Sequence, residues 1–256
     1  MRKKILAANW KMNLNFARAM ALVDAVIHGL DDSLNTEVVF APPFVYLHEV
    51  LLHVQRHSNL SLAAQNCSEH SGGAFTGEIS ASMLGSIGVD YVIVGHSERR
   101  IQFHESDDVL AEKVNRAIEN FLIPIFCCGE TSSDRDSGKH LAIVQSQLEK
   151  GLFHLPADKI RECIIAYEPV WAIGTGVNAQ PEQVQEMHAA IRKILSDKFS
   201  AEIASAVPVI YGGSISAANC ASIFACADVD GGLVGGASLK AQDFLDIIQL
   251  LEESIA

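Results

Sequence analysis

Positive charge is scarce in this sequence: 19 lysines and arginines stand against 31 aspartates and glutamates, for a formal net charge of −12. So acidic a chain has no electrostatic footprint for nucleic acid or for an anionic membrane surface, and neither is expected as a partner. The six cysteines, Cys67, Cys127, Cys128, Cys163, Cys220 and Cys226, form no C-x-x-C pair and no zinc-like spacing. That argues against a structural metal or a disulfide framework and for a reducing compartment. No uninterrupted apolar run approaches the roughly 20 residues a membrane-spanning helix needs. The opening M-R-K-K-I-L-A-A-N-W is basic and then apolar, but Asn9 and Lys11 arrive too soon for a signal-peptide core. A cytoplasmic protein is expected. The sequence also lacks a G-x-x-x-x-G-K-[ST] loop and a strand-linked G-x-G-x-x-G with a downstream acid, which argues against nucleotide or NAD binding.

What is present is a chain rich in core material, with 49% hydrophobic and 20% charged residues over 256 positions. That length is near the upper limit for one core and is typical of a (β/α)8 barrel. Eight short β-rich runs recur: Ile5 to Asn9, Val38 to Ala41, Leu60 to Gln65, Tyr91 to Val94, Ile123 to Cys127, Cys163 to Tyr167, Val207 to Tyr211 and Gly232 to Val234. Most are continuously apolar, as in parallel strands buried on both faces. Between them lie helical stripes: Leu110, Val114, Ala117, Ile118 and Phe121; Val184, Met187, Ile191, Ile194 and Leu195; and Phe244, Ile247, Ile248 and Leu251. Pro181 suits a first helical turn. No linker, low-complexity tract or repeat divides the chain. The pattern predicts an α/β protein, a single-domain (β/α)8 TIM barrel of eight parallel strands over residues 1–256, with a doubly wound open sheet as the alternative.

In such a barrel the chemistry sits at the carboxyl ends of the strands. Asn9 and Lys11 end strand one, His96 strand four, Cys127 strand five and Glu168 strand six. Singly, each is an ordinary solvated or hydrogen-bonded residue; their shared position makes them a candidate site. Ser97 and Glu98 follow His96 like the capped, acidic start of a helix, whose dipole disfavours a positive imidazole. A neutral ring there can donate to a carbonyl oxygen. Pro169 ends strand six after Glu168, leaving a carboxylate able to act as a base.

The loop P-V-W-A-I-G-T-G-V after Glu168 is apolar at its centre, with Gly174 and Gly176 beyond. It is either permanently packed or a lid that closes over a ligand, and the lid reading is preferred. Glycine-rich turns follow strands seven and eight, Y-G-G-S-I and V-G-G-A-S. Both are expected to open helical segments and bind phosphate through backbone amides. His53 and His57 have the spacing of a metal pair but no third ligand, and are read as a solvated helix face. Asn59 and Asn66 begin N-x-[ST] triplets that are idle without secretion.

The set A-N-W-K-M-N, A-Q-N, G-A-F-T-G-E, G-H-S-E-R-R, C-C-G-E, Y-E-P-V-W-A-I-G-T-G, Y-G-G-S and G-L-V-G-G-A-S-L, in this order, resembles the triosephosphate isomerase family over essentially the whole chain. Departures are mild: Ala8 where glycine is usual, Leu14 in the first loop, and Cys128 where an aliphatic residue is common, which raises the matter of oxidation. The resemblance implies interconversion of dihydroxyacetone phosphate and glyceraldehyde 3-phosphate in glycolysis and gluconeogenesis, without cofactor or metal. It implies Glu168 as base, His96 as electrophile, Lys11 and Asn9 as charge and hydrogen-bond donors to the substrate oxygens, and Gly174, Ser214, Gly235 and Gly236 as the phosphate cradle. Glu98 is expected to hold Lys11, and Cys127 to pack near the base.

Cys67 to Glu78 is too long and too rich in serine and glycine for a minimal connection. By resemblance it reaches a neighbouring subunit with Thr76 at its tip, implying a homodimer. Two rival readings remain: a Schiff-base aldolase using Lys11, and an inactive barrel kept for binding.

Overall fold

Strand-forming runs without alternating polarity can be buried on both faces only if something covers each face, and here a closed ring of strands supplies one cover and helices the other. The computed structural model describes residues 2–31, 34–174, 176 and 178–255. Among them, β1 (Ile5–Asn9), β2 (Glu37–Ala41), β3 (Leu60–Ala64), β4 (Tyr91–Val94), β5 (Ile123–Cys128), β6 (Ile164–Tyr167), β7 (Val209–Tyr211) and β8 (Gly231–Val234) form a closed parallel barrel in chain order. The β1–β8 register, Ile5 with Gly231 through Ala8 with Val234, closes the ring. No sheet edge is left open, and the open-sheet alternative is excluded.

Side chains alternate between two cores. Ile5, Ala7, Val39, Ala63, Ile93, Ile125, Ile164, Ala166, Ile210 and Leu233 fill the barrel interior. Their neighbours Leu6, Ala8, Val38, Phe40, Val92, Phe126 and Ile165 pack outward against the helices. This period of two decides where the strand ends point. Asn9 continues the inward series Ile5, Ala7; Cys127 follows Ile125; Glu168 follows Ile164 and Ala166.

The helical stripes pack as their periodicity demands. Val184, Met187, Ile191 and Leu195 are buried on the helix Pro181–Lys198, which begins at the expected proline, and Phe244, Ile247, Ile248 and Leu251 on Ala241–Glu253. Phe121 departs from expectation. The helix Asp107–Glu119 ends at an Asn120 cap, and Phe121 lies beyond it at φ +60° with its side chain 94% exposed. His57 likewise falls outside its helix, Leu47–Val54, so the supposed shared face with His53 does not exist; His53 pairs with Asp24 at 2.8 Å. β7 starts at Val209 rather than Val207, because Pro208 has no N–H to offer the ladder. No described helix is long and apolar enough to cross a membrane.

Candidate active site

The site starts with a strained turn. Lys11 adopts φ +52°, a left-handed conformation that costs a non-glycine residue about 1 kcal/mol. Two contacts hold it there: its amide donates to Asn9 Oδ1 at 3.0 Å, and Gln65 Nε2 donates to its carbonyl at 3.0 Å and to that of Ala41 at 2.8 Å. The turn aims the ammonium across the barrel mouth, where Nζ lies 2.7 Å from Glu98 Oε1.

His96 breaks the strand parity. Gly95, at φ +76°, turns the chain after β4, and His96 becomes the N-cap of the helix Ser97–Gln102. The Glu98 amide donates to His96 Nδ1 at 3.2 Å, so in the neutral ring the proton resides on Nε2. Nε2 lies 3.1 Å from Glu168 Oε1.

Glu168 is buried, 1% exposed, at the end of β6. Its backbone N–H donates to the Cys128 carbonyl at 2.8 Å. Its carboxylate accepts from the Ser97 amide at 2.8 Å and the Ser97 hydroxyl at 3.0 Å. Room for the side chain depends on Gly212, where a Cβ would stand 2.9 Å from Glu168 Cγ. Below the carboxylate, burial and then the Glu168 charge push the Cys127 thiol well above its ordinary pKa. Cys128 is pushed up to about 12 by burial. Burial thus disfavours the thiolate, the reactive form, at both cysteines.

Asn9, Lys11, His96, Ile173, Gly174, Ser214, Gly235 and Gly236 line one cleft of about 230 Å³ at the carboxyl ends of the strands. Glu168 meets it through His96. The loops after β7 and β8 are shaped by their own side chains. Asn219 donates to the Ser214 carbonyl at 2.9 Å and accepts from the Ser216 amide at 2.8 Å, while Ser238 Oγ donates to the Gly235 carbonyl at 2.7 Å. Only the second turn opens directly into a helical segment, the 3-10 turn Gly236–Leu239; after β7 the next helix, Cys220–Phe224, begins well past Ser214. The helix-dipole argument therefore does not apply to the first turn.

Beyond Glu168, a 3-10 turn Val170–Ala172 carries Trp171, whose indole donates to Glu130 Oε1 at 2.7 Å. Tyr167 Oη and Arg135 Nη1 donate to the same oxygen at 3.0 and 2.9 Å. Ala172 is buried, Ile173 half-buried and Gly174 exposed. The loop is thus packed at its start and open toward the cleft further on; its Thr175 and Val177 lie outside the described residues. Thr76 is exposed in the connection between β3 and the helix Ala81–Ser86 and does not line the cleft.

Gln65, Ser97, Glu130 and Asn219 were not singled out by role from the sequence. Their partners are distant along the chain or depend on loop shape; only Ser97, next to the His96 cap, had a local signal.

A closed parallel barrel with its polar cleft at the carboxyl rim, where a buried carboxylate and an imidazole meet beside an ammonium, defines a (β/α)8-barrel enzyme. The sequence profile described as triosephosphate isomerase matches residues 4–251. Triosephosphate isomerases of Flavobacterium johnsoniae and Porphyromonas gingivalis are 49% and 46% identical to it, each aligned over 97% of this chain and 99% of the relative. That of Chloroherpeton thalassium is 47% identical over 98% of this chain and 100% of its own length. The chain belongs to the triosephosphate isomerase family, and it is an isomerase.

Proposed function

We propose that the family's reaction, interconversion of dihydroxyacetone phosphate and D-glyceraldehyde 3-phosphate through an enediolate, is carried by Glu168 as base and His96 as electrophile. One observation carries the assignment: the Glu98 amide on Nδ1 makes Nε2 the donor, and that donor meets the Glu168 carboxylate at 3.1 Å. Glu168 removes a proton from the carbon beside the carbonyl, the carbon–carbon double bond of the enediolate forms, and negative charge develops on oxygen. His96 Nε2–H donates to that oxygen and relays the proton between the two oxygens; Glu168 then returns its proton to the neighbouring carbon. This division of labour between a glutamate base and a neutral histidine is the known one for the family.

A carbon-bound proton is so weakly acidic that a carboxylate removes it only where the developing oxyanion is stabilised. Lys11 and Asn9, lining the same cleft as His96, supply charge and a hydrogen bond. Both Glu168 oxygens are engaged by Ser97 and His96, so abstraction requires the carboxylate to rotate off Ser97 toward the cleft. Gly174, Ser214, Gly235 and Gly236 are assigned to the phosphate. Closure of the loop around Ile173 is assigned to water exclusion. The Lys11–Glu98 pair at 2.7 Å speaks against Schiff-base chemistry, which needs an unpaired amine.

The reading extends to one catalytic domain over residues 1–256, acting in the cytoplasm in glycolysis and gluconeogenesis without a cofactor. It also includes a homodimer through the loop containing Thr76. Met12 at 97% exposure, with Val45 and Phe75, offers apolar surface for a second copy near that loop's end of the barrel. A coupled assay of glyceraldehyde 3-phosphate conversion tests the reaction. In that assay Glu168→Asp, shorter by one methylene, is expected to fold and lose at least about a hundredfold in kcat; near-normal turnover would overturn the assignment.

A further inference from the structure

The hydrogen-bonded ladder between β4 and β5 runs from Tyr91 with Ile123 to Val94 with Phe126, and stops there. Beyond it one guanidinium spans the two strand ends. Arg100 Nε donates to the Gly95 carbonyl at 2.8 Å and Nη2 to the Cys127 carbonyl at 3.0 Å. Nη1 is fixed by Asp107 Oδ1 at 2.7 Å, and the group lies 5.7 Å from the centre of the Phe126 ring. The Arg100 and Asp107 side chains are only 16% and 19% exposed, so water competes weakly for these bonds. A planar fork with donors on three nitrogens can span two carbonyls and a carboxylate at once, whereas an ammonium concentrates its three donors on a single nitrogen and lacks that reach.

Gly95 gives independent evidence of how closely the parts fit. A Cβ there would stand 2.9 Å from Leu110 Cδ1, 3.2 Å from Arg100 Nη2 and 3.3 Å from the Cys127 carbonyl oxygen. Both bridged carbonyls adjoin the reacting groups. Gly95 precedes His96, and Cys127 precedes Cys128, whose carbonyl holds the Glu168 backbone N–H at 2.8 Å. A continuous series of bonds therefore leads from the peptide carrying the electrophile, through Arg100, to the strand end that carries the base. Arg100 itself does not line the cleft.

We propose that Arg100 is a positioning residue for the proton transfer: by bridging the ends of β4 and β5 it sets the separation of His96 Nε2 and the Glu168 carboxylate. The proposal rests on the roles given above to those two residues. Proton transfer is sensitive to displacements well under 1 Å, whereas the loops after β7 and β8 lie outside the bridge and are unaffected by it.

The test is Arg100→Lys, which keeps the positive charge but loses the fork. Three quantities are read: kcat, the affinity for 2-phosphoglycolate, whose carboxylate imitates the planar enediolate, and the affinity for inorganic phosphate. The expected result is a fall in kcat of about tenfold or more, phosphoglycolate binding weakened to a similar degree, and phosphate binding unchanged. Unchanged kcat in the folded variant, or equal weakening of both anions, overturns the proposal, since the second pattern is that of general loosening. If Arg100→Lys does not fold, Asp107→Asn, which leaves the guanidinium in place but unanchored, is expected to give the same pattern at smaller amplitude. Wild-type values there overturn it as well. Full activity of Glu168→Asp would instead refute the assignment of the base, so the two failures are distinguishable.

Discussion

Lys11 and Glu98 face each other at 2.7 Å across the barrel mouth, although β2 and β3 lie between the strands they follow. Glu98 serves two masters: its carboxylate holds the ammonium and its amide fixes the tautomer of His96. Glu98→Gln keeps the amide and removes the charge. Because the pair is partly exposed, stability should change by less than about 1 kcal/mol. With Lys11 no longer anchored, kcat/KM is expected to fall about tenfold or more; steady-state kinetics beside a urea titration would reveal an unaffected enzyme if the pair is ornamental.

His188 is wholly buried, with Tyr167 and Tyr211 ring centres at 5.8 and 6.5 Å and its Nδ1 3.2 Å from the Asp228 carbonyl oxygen. The Asp228, Asp230 and Arg192 charges also act on it, but burial dominates and lowers its pKa from 6.5 to about 4. The unfolded chain therefore takes up a proton at this residue before the folded one does, so stability falls as pH drops from 6.5 toward 4. The loss amounts to about 3 kcal/mol across the window. Urea unfolding at several pH values should show a shallower decline for His188→Gln; identical slopes would place the effect elsewhere.

Phe121, at φ +60° and exposed, strains the backbone with no buried contact to compensate. Phe121→Gly should raise stability by up to about 1 kcal/mol. His104, exposed at φ +56°, invites the same change. A lower melting temperature for Phe121→Gly would mean that the ring is held by a contact outside the chain.

Residues 71–78 are exposed, while the base of their loop is tied by the Ser68 amide to the Ile79 carbonyl at 2.8 Å. Removing the tip around Thr76 should spare the barrel, yield monomers by sedimentation and impair turnover. A fully active dimer would refute the proposed interface.

The barrel was legible because continuous apolar runs have few alternatives, and strand parity alone directs Asn9, Cys127 and Glu168 inward. His96 was legible for a different reason, the capping sequence after it. Phe121 misled because it prolongs an apolar spacing that the Asn120 cap interrupts. The roles of Gln65 and Glu130 depend on atoms brought together only by ring closure: Gln65 joins Lys11 and Ala41, and Glu130 gathers Tyr167 and Trp171. Local pattern carries no record of such meetings.

One oxygen of Glu130 receives an indole, a phenol and a guanidinium, from three separate places in the fold. In the closing motion proposed for the loop after Glu168, drawing the indole away would leave that oxygen with two donors still in place. The junction therefore survives the departure of one member, and returning costs little search. For the lid proposed above, such a partially retained clasp would favour reversible opening over a latch that must be rebuilt each time.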